Sequence, residues 1–157
     1  MIMPMPQGVI DIYASIVEKI MRERSPDQTI LHPDHGPYLE KWEIYRSDGF
    51  VGYVHRFLRS DYDVELHDHQ WDNTSIIVSG GYTEQVIEDG KLVAHWRPPG
   101  AVINRQAAQA HRIILLNEEP SVSIFTHGPK TRDWGFITND GWVFWQDFIK
   151  QSGMTVI

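Results

Sequence analysis

Nine short segments rich in β-branched and aromatic residues constrain the fold of this chain most: Leu39 to Tyr45, Gly52 to Leu58, Val64 to His69, Thr74 to Ser79, Tyr82 to Ile87, Lys91 to Trp96, Ala101 to Asn104, Ala110 to Leu116 and Ser121 to Thr126. Their number and even spacing predict a sandwich or barrel. No long helix separates them, which excludes a doubly wound parallel sheet. Asp89-Gly90 joins two of them as a tight hairpin, because both residues tolerate the positive φ of a type I′ turn. Helices are expected only at the two ends. Val9, Tyr13, Ile16, Val17 and Ile20 recur at spacings of three and four, which predicts an amphipathic helix over about Gly8 to Arg24, ended by Ser25-Pro26-Asp27. Its apolar face is expected across the outside or an open end of the strand assembly, or in a dimer interface. The segment Leu31 to Pro37, with His32 and His35, reads as a loop. Phe144 to Gln151 reads as a short helix closing one end, with Gly153 as its stop.

Chemistry is carried by Glu65-Leu66-His67-Asp68-His69. On an extended strand, residues i and i+2 share a face, so His67 and His69 point one way and Asp68 the other. A third histidine, His111, opens the apolar run Ile113 to Leu116, at a spacing that could bring three imidazoles together as a metal site. With eight histidines in the chain, the competing reading is that these are packed or surface side chains.

The order His-x-His, four residues, Thr74, six residues, Gly81 resembles the first motif of the cupin superfamily, with Thr74 where that motif has glutamate. Gly100 and His111 fit the two ends of the second motif, whereas Gln106, Ala108 and Leu115 stand where it has proline, glycine and asparagine. The resemblance runs from Leu66 to Leu116. It implies a mainly β fold, a double-stranded β-helix or jelly-roll barrel of antiparallel strands, like the small single-domain RmlC-like members. On that reading residues 1–157 form one cupin domain, with an N-terminal helix over about 8–24, a barrel core over about 38–138 and a C-terminal helix over about 144–151. Homodimers are common in the superfamily. Its members include dioxygenases, decarboxylases, isomerases, epimerases and proteins that only bind ligands, so activity has to be argued from the site.

Three neutral histidines without the glutamate would leave a divalent ion its full charge and about three open positions if six-coordinate, which suits an anionic substrate plus dioxygen. This resembles the three-histidine iron dioxygenases of the superfamily. Fe(II) is the favoured ion, with Ni, Zn, Mn or Cu as alternatives. Asp72, just after the pair, could add a carboxylate. Expected substrate contacts are Arg56, if its strand turns that face inward, together with Trp71, Thr74, Lys130, Arg132 and Trp134. The bland alternatives are an ion pair of Arg56 with Asp61 or Asp63, a solvated turn at Lys130-Thr131-Arg132, and core packing for the tryptophans. Two other functions share the residues. One is a metal-free or zinc-bearing isomerase or epimerase of sugar-type ligands, with a histidine base and a tyrosine such as Tyr82 as acid. The other is a non-catalytic binding module.

Composition narrows the partners. The chain has no cysteine, so disulfides, thiolate ligands and a cysteine nucleophile are excluded, in keeping with a cytoplasmic protein. A formal net charge of −7 argues against a nucleic-acid partner, whose phosphates call for clustered Lys and Arg. No run approaches the ~18 apolar residues of a membrane span, and nothing in the first segment reads as a signal peptide. A small, anionic molecule is the expected partner.

Overall fold

The computed structural model describes residues 3–152 and 155–156. In chain order these form α1 (Gln7–Glu23), β1 (Gln28–His32), β2 (Gly36–Ser47), β3 (Phe50–Phe57), β4 (Leu66–His67), β5 (Asn73–Ser79), β6 (Tyr82–Glu88), β7 (Lys91–Arg97), β8 (Val102–Arg105), β9 (His111–Ile114), β10 (Ser121–His127), β11 (Gly135–Thr138), β12 (Gly141–Phe144), α2 (Trp145–Ser152) and β13 (Thr155–Val156). The strands make two antiparallel sheets, one in the order β13-β1-β2-β3-β10-β5-β8 and the other β12-β11-β4-β9-β6-β7. This is the mainly β, jelly-roll architecture expected, with one helix near each end of the chain.

Alternation along the strands gives each sheet one face toward the other. Tyr38, Leu39, Phe57, Ile77 and Ile103 from the larger sheet meet Tyr82, Ile113 and Leu115 from the smaller one in an apolar cluster. The outward face of the larger sheet supplies Trp42, Val54, Val78 and Val122, which pack on Val17 of α1. The helix therefore lies across the outside of this sheet. Its buried stripe is Ile10, Ala14, Val17, Ile20 and Met21, while Val9, Tyr13 and Ile16 are exposed. Of the five positions that the sequence period picks out, Val17 and Ile20 lie on this stripe and Val9, Tyr13 and Ile16 do not, because this helix is apolar over more of its circumference than the sheet covers. Past its end, Arg24 turns extended, and its carbonyl accepts from Trp42 Nε1 at 2.9 Å.

Several elements differ from expectation. The loop read at its start is partly strand: β1 pairs with β2, and only residues 33–35 turn. The expected strand from Val64 to His69 shrinks to β4, after which the Asp68 and His69 backbone N–H groups donate to the Gly135 and Ala107 carbonyls. The aromatic tail contains an unexpected hairpin, β11–β12, in which a Cβ on Gly135 would lie 2.1 Å from the Val143 carbonyl oxygen. The proposed stop at Gly153 lies outside the described residues. The Asp89-Gly90 turn is as expected, with φ of 49° and 74°. No helix among the described residues is long and apolar enough to cross a membrane.

Trp42, 1% exposed, joins α1 to the sheet by packing and by its hydrogen bond. Trp42→Ala should cost about 3–5 kcal/mol in urea unfolding, whereas truncating the exposed Ile16 should change stability by less than about 0.5 kcal/mol.

Candidate metal centre

The two sheets enclose an apolar half and a polar half. In the polar half His67 on β4 pairs directly with His111 on β9, and His69 follows two residues later, held by its backbone N–H donating to the Ala107 carbonyl at 2.9 Å. Ring centroids are 5.2 Å apart for His67 and His69, 4.8 Å for His67 and His111, and 4.9 Å for His69 and His111. One nitrogen from each lies within 4.8 Å of the others. Among the described residues no other group of three potential ligands converges in this way.

Carboxylates behind the rings set their orientation. Glu84 Oε1 lies 2.6 Å from His111 Nδ1. Because an ionised carboxylate only accepts, Nδ1 carries the proton and Nε2 keeps its lone pair for an ion. The same Glu84 accepts from Arg105 Nε at 2.7 Å and Arg97 Nε at 2.8 Å. Burial alone would raise the Glu84 carboxyl, but the His111 hydrogen bond and the Arg105 charge outweigh it and hold its pKa far below the ordinary value. Burial, reinforced by Arg105, pushes His111 down to about 4 despite Glu84. His69 is likewise lowered by burial and by its two imidazole neighbours. Behind His67, Asp61 Oδ2 stands 3.8 Å from Nδ1 and accepts from the Ile113 backbone N–H at 2.6 Å. The donor set fits a divalent transition ion: His111 presents a neutral nitrogen, and His69 Nδ1 is buried without a hydrogen-bond partner in the chain.

The other expected site residues separate into two groups. Trp71 stacks on His69 with centroids 5.5 Å apart and on His127 at 4.1 Å. Trp134 meets His67 edge-on at 6.3 Å. Both tryptophans therefore flank the histidines. Arg56 does not reach them. It lies on the helix-facing side of its sheet, with Nε 2.7 Å from Glu40 Oε2 and its guanidinium over Trp42, so its partner is Glu40 rather than Asp61 or Asp63. Lys130 pairs with Asp133 in an exposed turn. Arg132 is bound to Asp68. Asp72 does not join the histidines either: its Oδ1 accepts from the Ala107 N–H at 2.8 Å. Thr74 points outward and donates to Asn104 Oδ1 at 2.6 Å. The residue facing between the sheets is Asn73, whose Oδ1 accepts from Arg105. The chain bends at Gln70 and Trp71, so alternation counted from His69 does not carry through to Thr74. Asp72 and Thr74 instead line an outer cleft with Gln109 and His127. His32 and His35 meet at a tilt, with Tyr62 edge-on to His32, and lie outside the group of three. Tyr82 is buried, and its hydroxyl accepts from Arg105.

From alternation alone, Asp68 is only the residue that points away from the histidines. It is 2% exposed and accepts from the Gly135 N–H, from Trp142 Nε1 and from Arg132. It therefore pins the β11–β12 hairpin behind His67 and His69. A charged residue between two inward-pointing histidines is the signal that could have found it.

The sequence matches no family model and no curated protein. Solved structures are similar in fold. A candidate mannose-6-phosphate isomerase from Ralstonia eutropha JMP134 is 18% identical, with a TM-score of 0.53 over 60% of this chain and 87% of its own. HppE with Fe(II) is 15% identical, with a TM-score of 0.51 over 64% of this chain and 56% of its own. HppE with Fe(II) and the alternative substrate (S)-1-HPP gives 15% and 0.50, over 67% of this chain and 58% of its own. The chain thus matches little more than half the length of HppE. These likenesses concern the fold alone, an assembly of two antiparallel sheets.

The buried imidazoles make stability depend on pH in the metal-free protein. His111 takes up a proton near 6.5 when unfolded but only near about 4 when folded, so between these values the unfolded chain binds more protons. Stability should be full above about pH 6.5 and fall as pH drops toward 4, with His55 and His69 acting in the same direction. The contribution of Glu84 is present above its ordinary value of 4.5 and is lost only at lower pH. Thermal melts between pH 7 and 4 test this, and a constant Tm across that range contradicts it.

Proposed function

We propose that this chain is a metal-dependent cupin enzyme acting on a small molecule, an oxygenase that holds Fe(II) through His67, His69 and His111. The observation that supports this reading is the convergence of three imidazoles within 4.8 Å, one of them held in the ligating tautomer by Glu84. When bound, Fe(II) supplies one-electron chemistry and open coordination positions for a substrate and dioxygen. The chain's own residues do the rest. Glu84 and Asp61 orient the rings, and Trp71, Trp134 and Phe136 shield the site from bulk water. Asp68 holds the hairpin that carries Trp134 and Phe136 against His67.

Elemental analysis after anaerobic reconstitution with Fe(II), combined with oxygen uptake in the presence of candidate small organic acids, tests the reading. Near-stoichiometric iron is expected, lost in His67→Ala and His111→Ala with folding retained. Glu84→Gln should weaken metal affinity by roughly 10–100-fold. Zinc-loaded protein that isomerises sugar-type ligands and consumes no oxygen would replace this reading with the isomerase. Protein that takes up no metal at all would sink it.

A further inference from the structure

The cations expected to hold an anionic substrate are all committed elsewhere, Arg56 to Glu40, Lys130 to Asp133 and Arg132 to Asp68, and the buried Arg105 is committed to Glu84. One interior cation is not. Lys41 on β2 stands opposite His55 on β3, which in turn stands opposite Ser123 on β10. His55 stacks on Phe125 with centroids 4.5 Å apart and meets Phe57 of the apolar cluster edge-on, so this row faces the space between the sheets. Lys41 Nζ lies 4.5 Å from the Tyr53 ring centre. Among the described residues no carboxylate lies within 4.0 Å of it. Burial lowers the pKa of its ammonium. Its neighbour His55 is 6% exposed, and its Nε2 is buried with no hydrogen-bond partner.

An unpaired, half-buried ammonium and an unmet imidazole nitrogen on one wall both cost stability, and neither is part of the histidine group. A ligand that answers both needs a compact oxyanion for Lys41 and a second polar atom for His55. An unbroken run of rings connects this wall to the histidines: His55 to Phe125, Phe125 to Trp71 at 5.6 Å, and Trp71 to His69 at 5.5 Å. We propose that Lys41, with His55, is the anchor for the oxyanion head of a small organic acid, a carboxylate or a phosphate or phosphonate, whose other end lies along Trp71 toward His67, His69 and His111. The placement of the far end rests on the metal-centre reading; the anion site does not.

The probes are inorganic phosphate and acetate, titrated into metal-free and Zn(II)-loaded protein while the His55 ring Cε1–H signal is followed by NMR, assigned by its loss in His55→Phe. A saturable shift is expected with and without zinc, retained in Lys41→Arg and weakened about tenfold or more in Lys41→Met. The tighter probe identifies the head group. Lys41→Met should keep its zinc and keep or raise its Tm, since it removes an unpaired charge. A lowered Tm would mark Lys41 as a structural cation and overturn the proposal. So would an absence of saturable shift in the wild type, or anion binding that Lys41→Met leaves unchanged. Anion binding to Lys41 in a protein that takes up no metal would uphold this site while removing the metal-centre reading.

Discussion

The buried carboxylate of Glu84 is the interaction on which the polar half of the molecule depends. It stands on β6 and accepts from Arg97 on β7, Arg105 on β8 and His111 on β9. β8 belongs to one sheet and the other three strands to the second, so one side chain ties the two sheets together where the apolar cluster has ended. Removing a charged group from water is costly unless it is matched by opposite charge and hydrogen bonds. Three donors match this one, and Arg105 is itself completed by Asn73, Ser75 and Tyr82. The arrangement fixes the His111 ring as a by-product of holding the sheets in register.

Stability and chemistry are therefore separated along the interior. At one end Phe57, Ile77, Tyr82 and Ile113 supply ordinary burial, and α1 seals the outer face of the larger sheet through Trp42 and Val17. At the other end the interior carries His55, His69, Asn73, Glu84, Arg105 and His111, a density of polar groups that an efficient core would not contain. Most of these are fully paired. The ones that are not, Nδ1 of His69 and Nε2 of His55, lie on the walls that face the space between the sheets. Two of the four buried side-chain atoms without a partner among the described residues stand on these walls, the others being Arg59 Nε and Ser121 Oγ, and a buried unmet atom beside a space is a place where a ligand can bind.

Much of this was legible in the sequence, because period-two alternation fixes both the mainly β class and the shared face of His67 and His69. His111 was legible from its place at the start of an apolar strand. Register across long loops was not. Arg56 and His55 occupy adjacent positions on one strand, and only the pairing Glu40 with Arg56 and Lys41 with His55 decides which faces inward. The outward direction of Thr74 was not legible, because the bend after His69 interrupts the alternation. Glu84 and Arg105 are separated by 21 positions, and nothing local to either announces the other. The aromatic tail was legible as apolar mass. Its hairpin was not, because the side chain that holds it, Asp68, lies in a distant segment.

The central claim is that His67, His69 and His111 together form one metal centre. X-ray absorption at the zinc edge of the Zn(II)-loaded protein tests it most directly, since zinc binds imidazole nitrogen at about 2.0–2.1 Å and each imidazole adds its own outer-shell scattering. Three imidazoles per zinc, with the remaining positions filled by oxygen, is the predicted spectrum. One imidazole or none would contradict the account, as would protein that binds zinc with the same spectrum after His111→Ala.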